Sequence, residues 1–465
     1  MRRLAPHRSA LACHAVLLVA SLSGCATAHR DYADLLDETK SPPLQDVMAP
    51  SARADRRPEE VEARLREELS EATVVAALVA NSPRLFAAMR QWEAAVHRVP
   101  QAGTLPDPRF QWSYHGSEGA QTRTGRVRNT FQLSQTFPFF GKLALQEAVA
   151  SKAAEVERER FLALARDLIR QTRKVVYQLY YVDRAVVITN ETLGLVRRLE
   201  AVARSRYEAN QASQHAVLLA QTETADLEND LVTLEDRRVT LQARLNTLLN
   251  RPPEAPLGPL VPLQPTQRTW ELARLFELGL DRRQELHAAR LEIEGGEARV
   301  DRARRDYLPD LTAGFFYGDV SGYGAIPVRG TNGEDQLGLT LGINLPLWLW
   351  KYSAGVDEAS ARLEAARRAE DAAKNEVLFE VREAHFHVLA QWRLVALYRD
   401  SQIPKAQLSL RVAETEYQAG RIGFLDFLDA ERLLLRFRLA YERALSGYHE
   451  GIADLERAVG GTLEE

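Results

Sequence analysis

Cysteine is nearly absent from this 465-residue chain, whose two cysteines, Cys13 and Cys25, both lie in the first 25 residues. The rest of the chain can therefore form no disulfide bond and no thiolate metal site. It also lacks a glycine-rich phosphate loop, a Gly-x-Ser-x-Gly elbow and a His-Glu-x-x-His zinc motif. His385 and His387 are two residues apart on a predicted helix and face different directions, so we expect no metal site there. We predict a protein that is not an enzyme and has no cofactor.

An excess of charge of one sign is also missing. The formal net charge is −4, from 60 basic and 64 acidic residues, so the chain has no basic footprint for nucleic acid. After the N-terminal segment, no stretch approaches 18 uninterrupted apolar residues. We therefore predict no transmembrane helix in that part of the chain.

The N-terminus has the features of a secretory signal. Three arginines precede an apolar run over residues 11–22, which is too short to span a membrane as a mature helix. The run ends in Leu-Ser-Gly before Cys25, which resembles a bacterial lipoprotein signal that is cleaved so that Cys25 becomes a lipidated first residue. The alternative is an ordinary secretory peptide with a chance cysteine. We predict a lipoprotein-type signal peptide over 1–24 and an extended N-terminal arm over 25–68.

The remaining chain is an internal duplication. The first repeat covers 69–250, the second covers 269–461, and a proline-rich linker over 251–268 joins them. In each repeat a helical pattern ends at a Leu-Pro-Asp sequence, and Asp107 and Asp310 of these sequences are 203 residues apart. The two repeats are therefore expected to fold alike.

Two segments of alternating apolar and polar residues follow each Leu-Pro-Asp sequence, which is the period of a β-strand. The predicted strands cover about 108–116 and 126–137 in the first repeat, and about 310–318 and 335–345 in the second. Each has about the length of a tilted membrane-spanning strand. Their polar faces are rich in Gly, Gln, Asn and Thr, which suits a water-filled lumen better than the alternative of soluble hairpins packed on helices.

Each repeat closes with a long helix and a returning helix. From Tyr352 to Gln418 the chain contains one proline, Pro404, and one glycine, Gly355. At about 1.5 Å per residue this helix would span roughly 100 Å, and Pro404 should kink it. Apolar residues spaced alternately four and three apart predict coiled-coil packing of these helices.

The turn between the two long helices of the second repeat organises the chain. Gly420 is predicted to end the first helix in the left-handed conformation, and Gly423 to allow the reversal. The returning helix then carries Asp426 and Asp429 three residues apart on one face. The sequence therefore predicts a long helical hairpin with two carboxylates near its tip.

Four strands from one chain cannot close a membrane barrel, and open strand edges are not tolerated in lipid. Two copies would give eight strands and no room for a channel, whereas three copies would give twelve strands and a channel. The predicted fold is mainly α with a membrane β part. Long coiled-coil helical hairpins and four transmembrane strands per chain would form a 12-stranded barrel and an α-helical tunnel as a trimer.

The duplicated plan and four short motifs resemble the TolC family of outer-membrane efflux proteins over nearly all of the chain after the signal. These motifs are Leu105-Pro-Asp-Pro108, Leu133-Ser-Gln-Thr-Phe-Pro138, Tyr417-Gln-Ala-Gly420 and Phe424-Leu-Asp-Phe-Leu-Asp429. The sequences Gln101-Ala-Gly-Thr-Leu-Pro-Asp-Pro108 and Phe140-Gly-Lys142 are most similar to the heavy-metal efflux branch, the CzcC and CusC type.

The resemblance implies the passive outer-membrane exit duct of a tripartite efflux system, lipid-anchored, with its helical tunnel in the periplasm. It implies a homotrimer in contact with outer-membrane lipid, a periplasmic adaptor (membrane fusion) protein, an inner-membrane pump of the RND type and no nucleic acid. Heavy-metal cations are one candidate cargo. The alternatives are a duct for drug efflux or type I protein secretion and a non-channel periplasmic coiled-coil scaffold.

The resemblance also implies a gate at the tip turn. Asp426 and Asp429 match acidic rings that narrow the periplasmic mouth, where six carboxylates in a trimer would attract cations. The alternative is that these acids only favour the start of a helix through its dipole. Tyr417 matches a tyrosine of the constriction network, whereas the position of the family's arginine partner is Ile422, with Arg421 adjacent.

Overall fold

The structure is a computed structural model that describes residues 28–41, 44, 58–116, 120–121, 125–211, 213–322 and 333–463. The predicted signal peptide over 1–24 and the candidate lipidation site Cys25 lie outside the described residues.

The described part of the chain is mainly helical, with one antiparallel sheet. In order, its helices and strands are α1 Ala28–Lys40, α2 Pro58–Glu67, α3 Glu71–Asn81, α4 Pro83–Val96, α5 Arg98–Gly103, β1 Arg109–Tyr114, β2 Ala120–Gln121, β3 Arg126–Phe137, α6 Lys142–Glu208, α7 Gln214–Leu248, α8 Leu272–Arg282, α9 Gln284–Arg305, β4 Leu311–Ser321, β5 Gln336–Ile343, α10 Leu349–Leu397, α11 Ile403–Gln418 and α12 Phe424–Val459.

The prediction of an extended arm over 25–68 is wrong where the structure describes it, because α1 and α2 are helices. Pro58, the proline of this range that lies within the described residues, does not interrupt a helix. Pro58 is the first residue of α2, where a missing N–H costs nothing and the fixed φ suits a helix. Helix α1 is held by the Tyr32 hydroxyl, 2.9 Å from Nδ1 of His97.

The chain divides into two compact units. The first contains Arg90–Arg158 and Ala288–Glu370 with the N-terminal residues up to Pro42, and the second contains Pro43–Met89, Glu159–His287 and Asp371–Glu465. The sheet belongs to the first unit. Most of the long helical hairpins belong to the second.

The sheet of the first unit has the strand order β1-β3-β4-β5, with the short β2 beside β3. The four predicted strands are confirmed, and the observed bounds differ from the predicted ones by three residues or fewer. The central pair β3–β4 joins the two repeats in a register that begins at Phe137 opposite Leu311. Strands β1 and β5 form the two edges.

One face of this sheet carries large apolar side chains that are exposed in the chain. They are Phe110, Trp112, Tyr114, Leu133, Leu311, Phe315, Leu337, Leu339, Leu341 and Ile343. A soluble hairpin packed on helices would bury this face. An exposed apolar face of this size instead indicates a surface that meets lipid or a partner.

The second unit is an all-helical bundle with the linker packed on it. Residues 251–271 contain no helix in the structure, as the proline-rich linker predicted. Leu69 forms a bridge with Leu260, and its N–H donates to the Pro259 carbonyl at 2.9 Å. One core cluster lies between α8, α10 and α12 and includes Val381, Tyr448 and Leu455.

The kink predicted at Pro404 takes the form of a π-helical turn. This turn, Tyr398–Gln402, separates α10 from α11 and lies just before the proline. Proline has no N–H to donate, and its ring clashes with the carbonyl one turn back, so a wider turn there avoids both problems. In the first repeat, Gly194 lies at the same offset. Helix α6 is continuous there, because glycine keeps its N–H.

Within the described residues, no single helix has the length and apolar character needed to cross a membrane. One bent pair, Glu71–Asn81 with Pro83–Gly103, meets those two requirements.

Candidate functional site

The turn at the tip of the second repeat begins with a left-handed glycine, as predicted. Gly420 has a φ of +73°, and its N–H donates to the Tyr417 carbonyl at 3.0 Å. The next N–H, of Arg421, donates to the Glu416 carbonyl at 2.9 Å. These bonds satisfy carbonyls that the end of α11 leaves free.

Gly423 does not provide the reversal that its position suggested. Its φ of −76° and ψ of 164° are extended values that any residue adopts. The residue lies just before α12, and the Gly423 N–H donates to Oδ2 of Asp426 at 3.0 Å. Only Gly420 requires a glycine-like conformation in this turn.

The tip of the first repeat reverses in the same way, 210 residues earlier. Asn210 takes the left-handed role with a φ of +56°, and its N–H donates to the Tyr207 carbonyl at 2.9 Å. Asparagine tolerates this region better than most residues do. Ser213 then begins the returning helix, because its hydroxyl accepts from the Ala216 N–H at 3.4 Å.

The two candidate gate acids are both exposed, but they make different contacts. Asp426 accepts the Gly423 N–H and so stabilises the first turn of α12. The Asp429 carboxylate lies 3.7 Å from the Arg432 guanidinium, and its side chain is 64% exposed. The helix-start interpretation therefore accounts for Asp426. It does not account for Asp429, whose carboxylate remains exposed to solvent.

Tyr417 is a core residue of the tip rather than an exposed one. It is 6% exposed, its ring stacks on Phe427 at 5.5 Å, and it meets Phe424 edge-on at 5.8 Å. The Tyr417 hydroxyl is buried without a hydrogen-bond partner among the described residues. The aromatic ring, and not the hydroxyl, holds this residue in place within the chain.

An arginine from the first repeat holds the end of α11. The Arg206 guanidinium lies 4.5 Å above the Tyr417 ring and donates to the carbonyls of Tyr417 at 3.0 Å and Gln418 at 3.1 Å. A cation at a helix C-terminus is favourable because of the helix dipole. Sequence reasoning missed Arg206. The equivalent position of the second repeat is Glu416, of opposite charge, but this difference does not indicate that Arg206 binds the other repeat.

Arg421 is not part of this contact. It is exposed, and its side chain forms no ion pair with a described residue. Its neighbour Ile422, at the position of the family's arginine, is partly buried and packs against the core cluster that contains Tyr417, Phe424 and Phe427. The structure therefore brings Tyr417, but not Arg421, into the interior of the tip.

Two buried acids, Glu431 of α12 and Glu223 of α7, lie about one helical turn beyond the aromatic residues of the tip. Glu431 is 2% exposed, and Arg432 donates from Nε to Glu223 of α7 at 2.8 Å. Burial and the nearby Glu223 charge raise the pKa of Glu431 to about 7, against the hydrogen bond from Thr192 and the charges of Arg432 and Arg438. The sequence could not reveal this residue, because a glutamate on an amphipathic helix normally faces water.

No group of three or more His, Cys, Asp or Glu residues within the described ranges is placed to hold a metal ion. His385 is buried, with Nε2 at 3.2 Å from the Trp270 carbonyl, whereas His387 is exposed.

Residues 275–461 match the family model described as outer membrane efflux protein. The cobalt-zinc-cadmium resistance protein CzcC of Cupriavidus metallidurans is 22% identical over 387 residues, which cover 81% of this chain and 86% of that protein. Toxin and drug export protein A of Aggregatibacter actinomycetemcomitans is 24% identical over 301 residues, 62% of this chain and 64% of that protein.

Solved structures have the same fold. The outer membrane protein VceC of Vibrio cholerae has a TM-score of 0.70 at 20% identity, covering 85% of this chain and 97% of that one. The outer-membrane channel OprN gives 0.72 at 20% identity, over 90% and 95% of the two chains. CusC gives 0.72 at 17% identity, over 84% and 92%. The fold is that of outer-membrane efflux channels, and the resemblance predicted from the sequence is confirmed.

Replacing Arg206 with methionine should loosen the end of α11. The change keeps an apolar stem over Tyr417 but removes two charge-assisted hydrogen bonds and the charge at the helix end. We expect local opening of the tip to become easier by about 1–3 kcal/mol. Hydrogen exchange of the amides at 415–419 measures this opening. The control Arg421→Met should change exchange little, and equal exchange in both variants would contradict the role of Arg206.

Replacing Glu431 with glutamine should change how stability depends on pH. Because the pKa of Glu431 in the folded chain is about 7 and its ordinary value is 4.5, the folded state holds the proton more tightly. The contribution of Glu431 to the free energy of unfolding therefore falls as pH rises from 4.5 to 7. Glutamine removes this loss, so the variant should be more stable than the natural chain at pH 8, by about 1–3 kcal/mol.

At pH 4.5, the ordinary value for this carboxyl, the two proteins should differ little. Denaturation followed by circular dichroism at both pH values tests this, with the exposed Asp429→Asn as control. A Glu431→Gln chain that keeps the full pH dependence of the natural one would show that another group is responsible.

Proposed function

We propose that this protein is the exit duct of a tripartite efflux system in the bacterial outer membrane, conducting substrates passively to the exterior. The observation that carries this proposal is an exposed apolar sheet face on a chain whose fold matches outer-membrane efflux channels over most of its length. The family and fold are those of channels, so we propose no catalytic activity. A periplasmic scaffold would have no use for such a face.

Three copies are proposed to form the duct. Four strands from each would close a 12-stranded barrel, with the exposed apolar residues toward lipid and the polar faces toward water. The helical hairpins would continue the barrel as a tunnel in the periplasm. The open edges of β1 and β5 support this proposal, because unpaired strand edges are costly in lipid.

The proposed partners are a periplasmic adaptor protein and an inner-membrane pump of the RND type. Heavy-metal cations are the favoured cargo, since the cobalt-zinc-cadmium resistance protein matches 81% of the chain. Drug efflux or type I protein secretion is the second candidate, supported by the toxin and drug export protein that matches 62%. Because the described residues offer no metal-binding cluster, selection of a metal cargo would belong to the pump.

The gate is proposed to lie at the tip turn. Asp429, exposed beside Arg432, and Asp426, at the start of the same helix, would form two stacked rings of carboxylates around a threefold axis. Such rings attract cations and repel anions. Tyr417 would contribute by packing the closed tip through its ring, and the exposed Arg421 would add a positive charge beside the acids.

Removing both carboxylates should reduce the cation preference of the channel. Asp426→Asn with Asp429→Asn keeps the size of both side chains, and the Oδ1 of asparagine at position 426 can still accept the Gly423 N–H. In planar bilayers, we expect a lower cation-to-anion permeability ratio and weaker block by divalent cations. The control double variant Asp230→Asn with Asp236→Asn removes two exposed acids from α7, away from the tip. If both double variants retain natural selectivity and block, the tip acids do not form the selectivity ring.

Cys25 is proposed to carry a lipid anchor, on the evidence of the Leu-Ser-Gly-Cys ending of the signal. Each buried methylene of an acyl chain adds about 0.8 kcal/mol to membrane binding, so several chains would anchor the N-terminus firmly. Mass spectrometry of the mature chain should find an acylated N-terminal cysteine, absent from Cys25→Ser. An unmodified N-terminus beyond residue 25 would exclude lipidation.

A further inference from the structure

At the end of the β3–β4 pair, a lysine of the first repeat binds an aspartate of the second repeat. The Lys142 ammonium, just after β3, donates to Oδ1 of Asp310 at 2.8 Å and to the Leu308 carbonyl at 2.7 Å. The Phe139 N–H donates to the same carboxylate oxygen at 2.9 Å. Partial burial raises the pKa of Asp310, but these hydrogen bonds outweigh it and hold the pKa below its ordinary value. The carboxylate is therefore bound as an anion.

A corresponding aspartate and lysine occur a second time in the chain, and these two residues lie at opposite edges of the sheet. Asp107 precedes β1 in the Leu-Pro-Asp sequence that corresponds to the one containing Asp310. Lys351 follows β5, and its N–H donates to the Trp348 carbonyl at 2.9 Å, just as the Lys142 N–H donates to the Phe139 carbonyl at 3.0 Å. The turns before the two lysines differ: Gly141 precedes Lys142 with a φ of +85°, whereas Lys351 is the third residue of α10. With the repeats aligned, Lys351 therefore lies one residue further from its strand than Lys142 does, a difference that a long lysine side chain can span.

The second aspartate and lysine, Asp107 and Lys351, do not form an ion pair within the chain. Asp107 is exposed, with no hydrogen bond or ion pair to a described residue. Lys351 is exposed too, and its ammonium only approaches the ring of Tyr352, at 5.6 Å from the centroid. Strands β3 and β4 lie between β1 and β5, so the two edges are about 14 Å apart at a spacing of about 4.8 Å per strand. One chain cannot close this pair.

We propose that β5 of one copy pairs with β1 of the next in the register of the β3–β4 pair, and that Lys351 of one copy binds Asp107 of the next. The partner is a second copy of this chain, and the surface is the pair of sheet edges. This inference rests on the proposed oligomeric duct. It adds the register of the seam and the ion pair that closes its end.

The repeat offsets give the register of the seam residue by residue. Residues of β1 correspond to residues of β4 that are 203 positions later, and residues of β3 correspond to residues of β5 that are 208 positions later. Applied to the observed β3–β4 register, these offsets place opposite each other Leu339 and Tyr114, Leu341 and Trp112, Ile343 and Phe110, and, on the polar face, Thr340 and Ser113.

The side chains of the two edges agree with this register. On the outer face each aliphatic residue of β5 meets an aromatic residue of β1, which is a favourable cross-strand combination. All six of these side chains are at least 60% exposed in the single chain, so none is already packed. A slip by one residue would set apolar side chains against polar ones.

Engineered cysteines test the register directly. Oxidised Ser113→Cys with Thr340→Cys should form disulfides between copies, because these positions lie opposite each other. The control Ser113→Cys with Gly342→Cys is slipped by two residues, which puts its Cα atoms about 8 Å apart, beyond disulfide reach. Gly342 suits the control, since an added Cβ would meet nothing closer than 3.9 Å. The chain has no other cysteine after Cys25.

The expected result on a non-reducing gel is covalent dimer and trimer from the opposite pair and little from the slipped pair. Native mass spectrometry of the same samples in detergent distinguishes an error in the register from the absence of a trimer. Trimers without the opposite-pair disulfide, or with the slipped one, would overturn the register and leave the duct intact. A chain that stays monomeric would overturn the duct as well.

Charge reversal tests the ion pair. Asp107→Lys or Lys351→Asp alone should lower the ratio of trimer to monomer by roughly tenfold per seam, because each places like charges together. The double variant, with both changes, should recover most of the trimer. Both residues are exposed, so the single chain should fold in every variant. A double variant no better than the single ones would overturn the ion pair while leaving the register to the cysteine test.

Discussion

Backbone hydrogen bonding at the two sheet edges is the constraint on which the rest of the structure depends. Strands β1 and β5 each pair on one side within the described chain, and unpaired peptide groups are costly in lipid. The same sheet exposes large apolar side chains, which are unfavourable in water. The proposed pairing of the edges between copies, with the apolar face in a membrane, would remove both costs together.

Within the second unit, a contact between the repeats determines how firmly the tip of the hairpins is held. Arg206 of the first repeat binds two carbonyls at the end of α11 in the second. Close by, the buried Glu431 is costly to ionise near neutral pH. One interaction stabilises the hairpins against each other and the other weakens their packing. The gate proposed at the tip would open against this balance.

The sequence predicted what depends on periodicity and turn chemistry. Strand β3 has the bounds expected from its alternation, and Gly420 has the left-handed φ expected from its place at the end of a long helix. The roles of Arg206 and Glu431 were not predictable in the same way, because their partners lie in the other repeat. The arm was predicted wrongly where the structure describes it, since Pro58 begins a helix instead of breaking one.

The internal duplication has a consequence for how the proposed ring forms. Of its six joints between repeats, three lie inside single chains, where the covalent linker over 251–268 keeps the two repeats at a high effective concentration. These three form during folding whatever the number of molecules present. The other three form only when separate molecules meet, so the yield of channels should depend on expression level. Their strength alone sets the lifetime of the ring, because dissociation breaks these joints and spares those inside each chain.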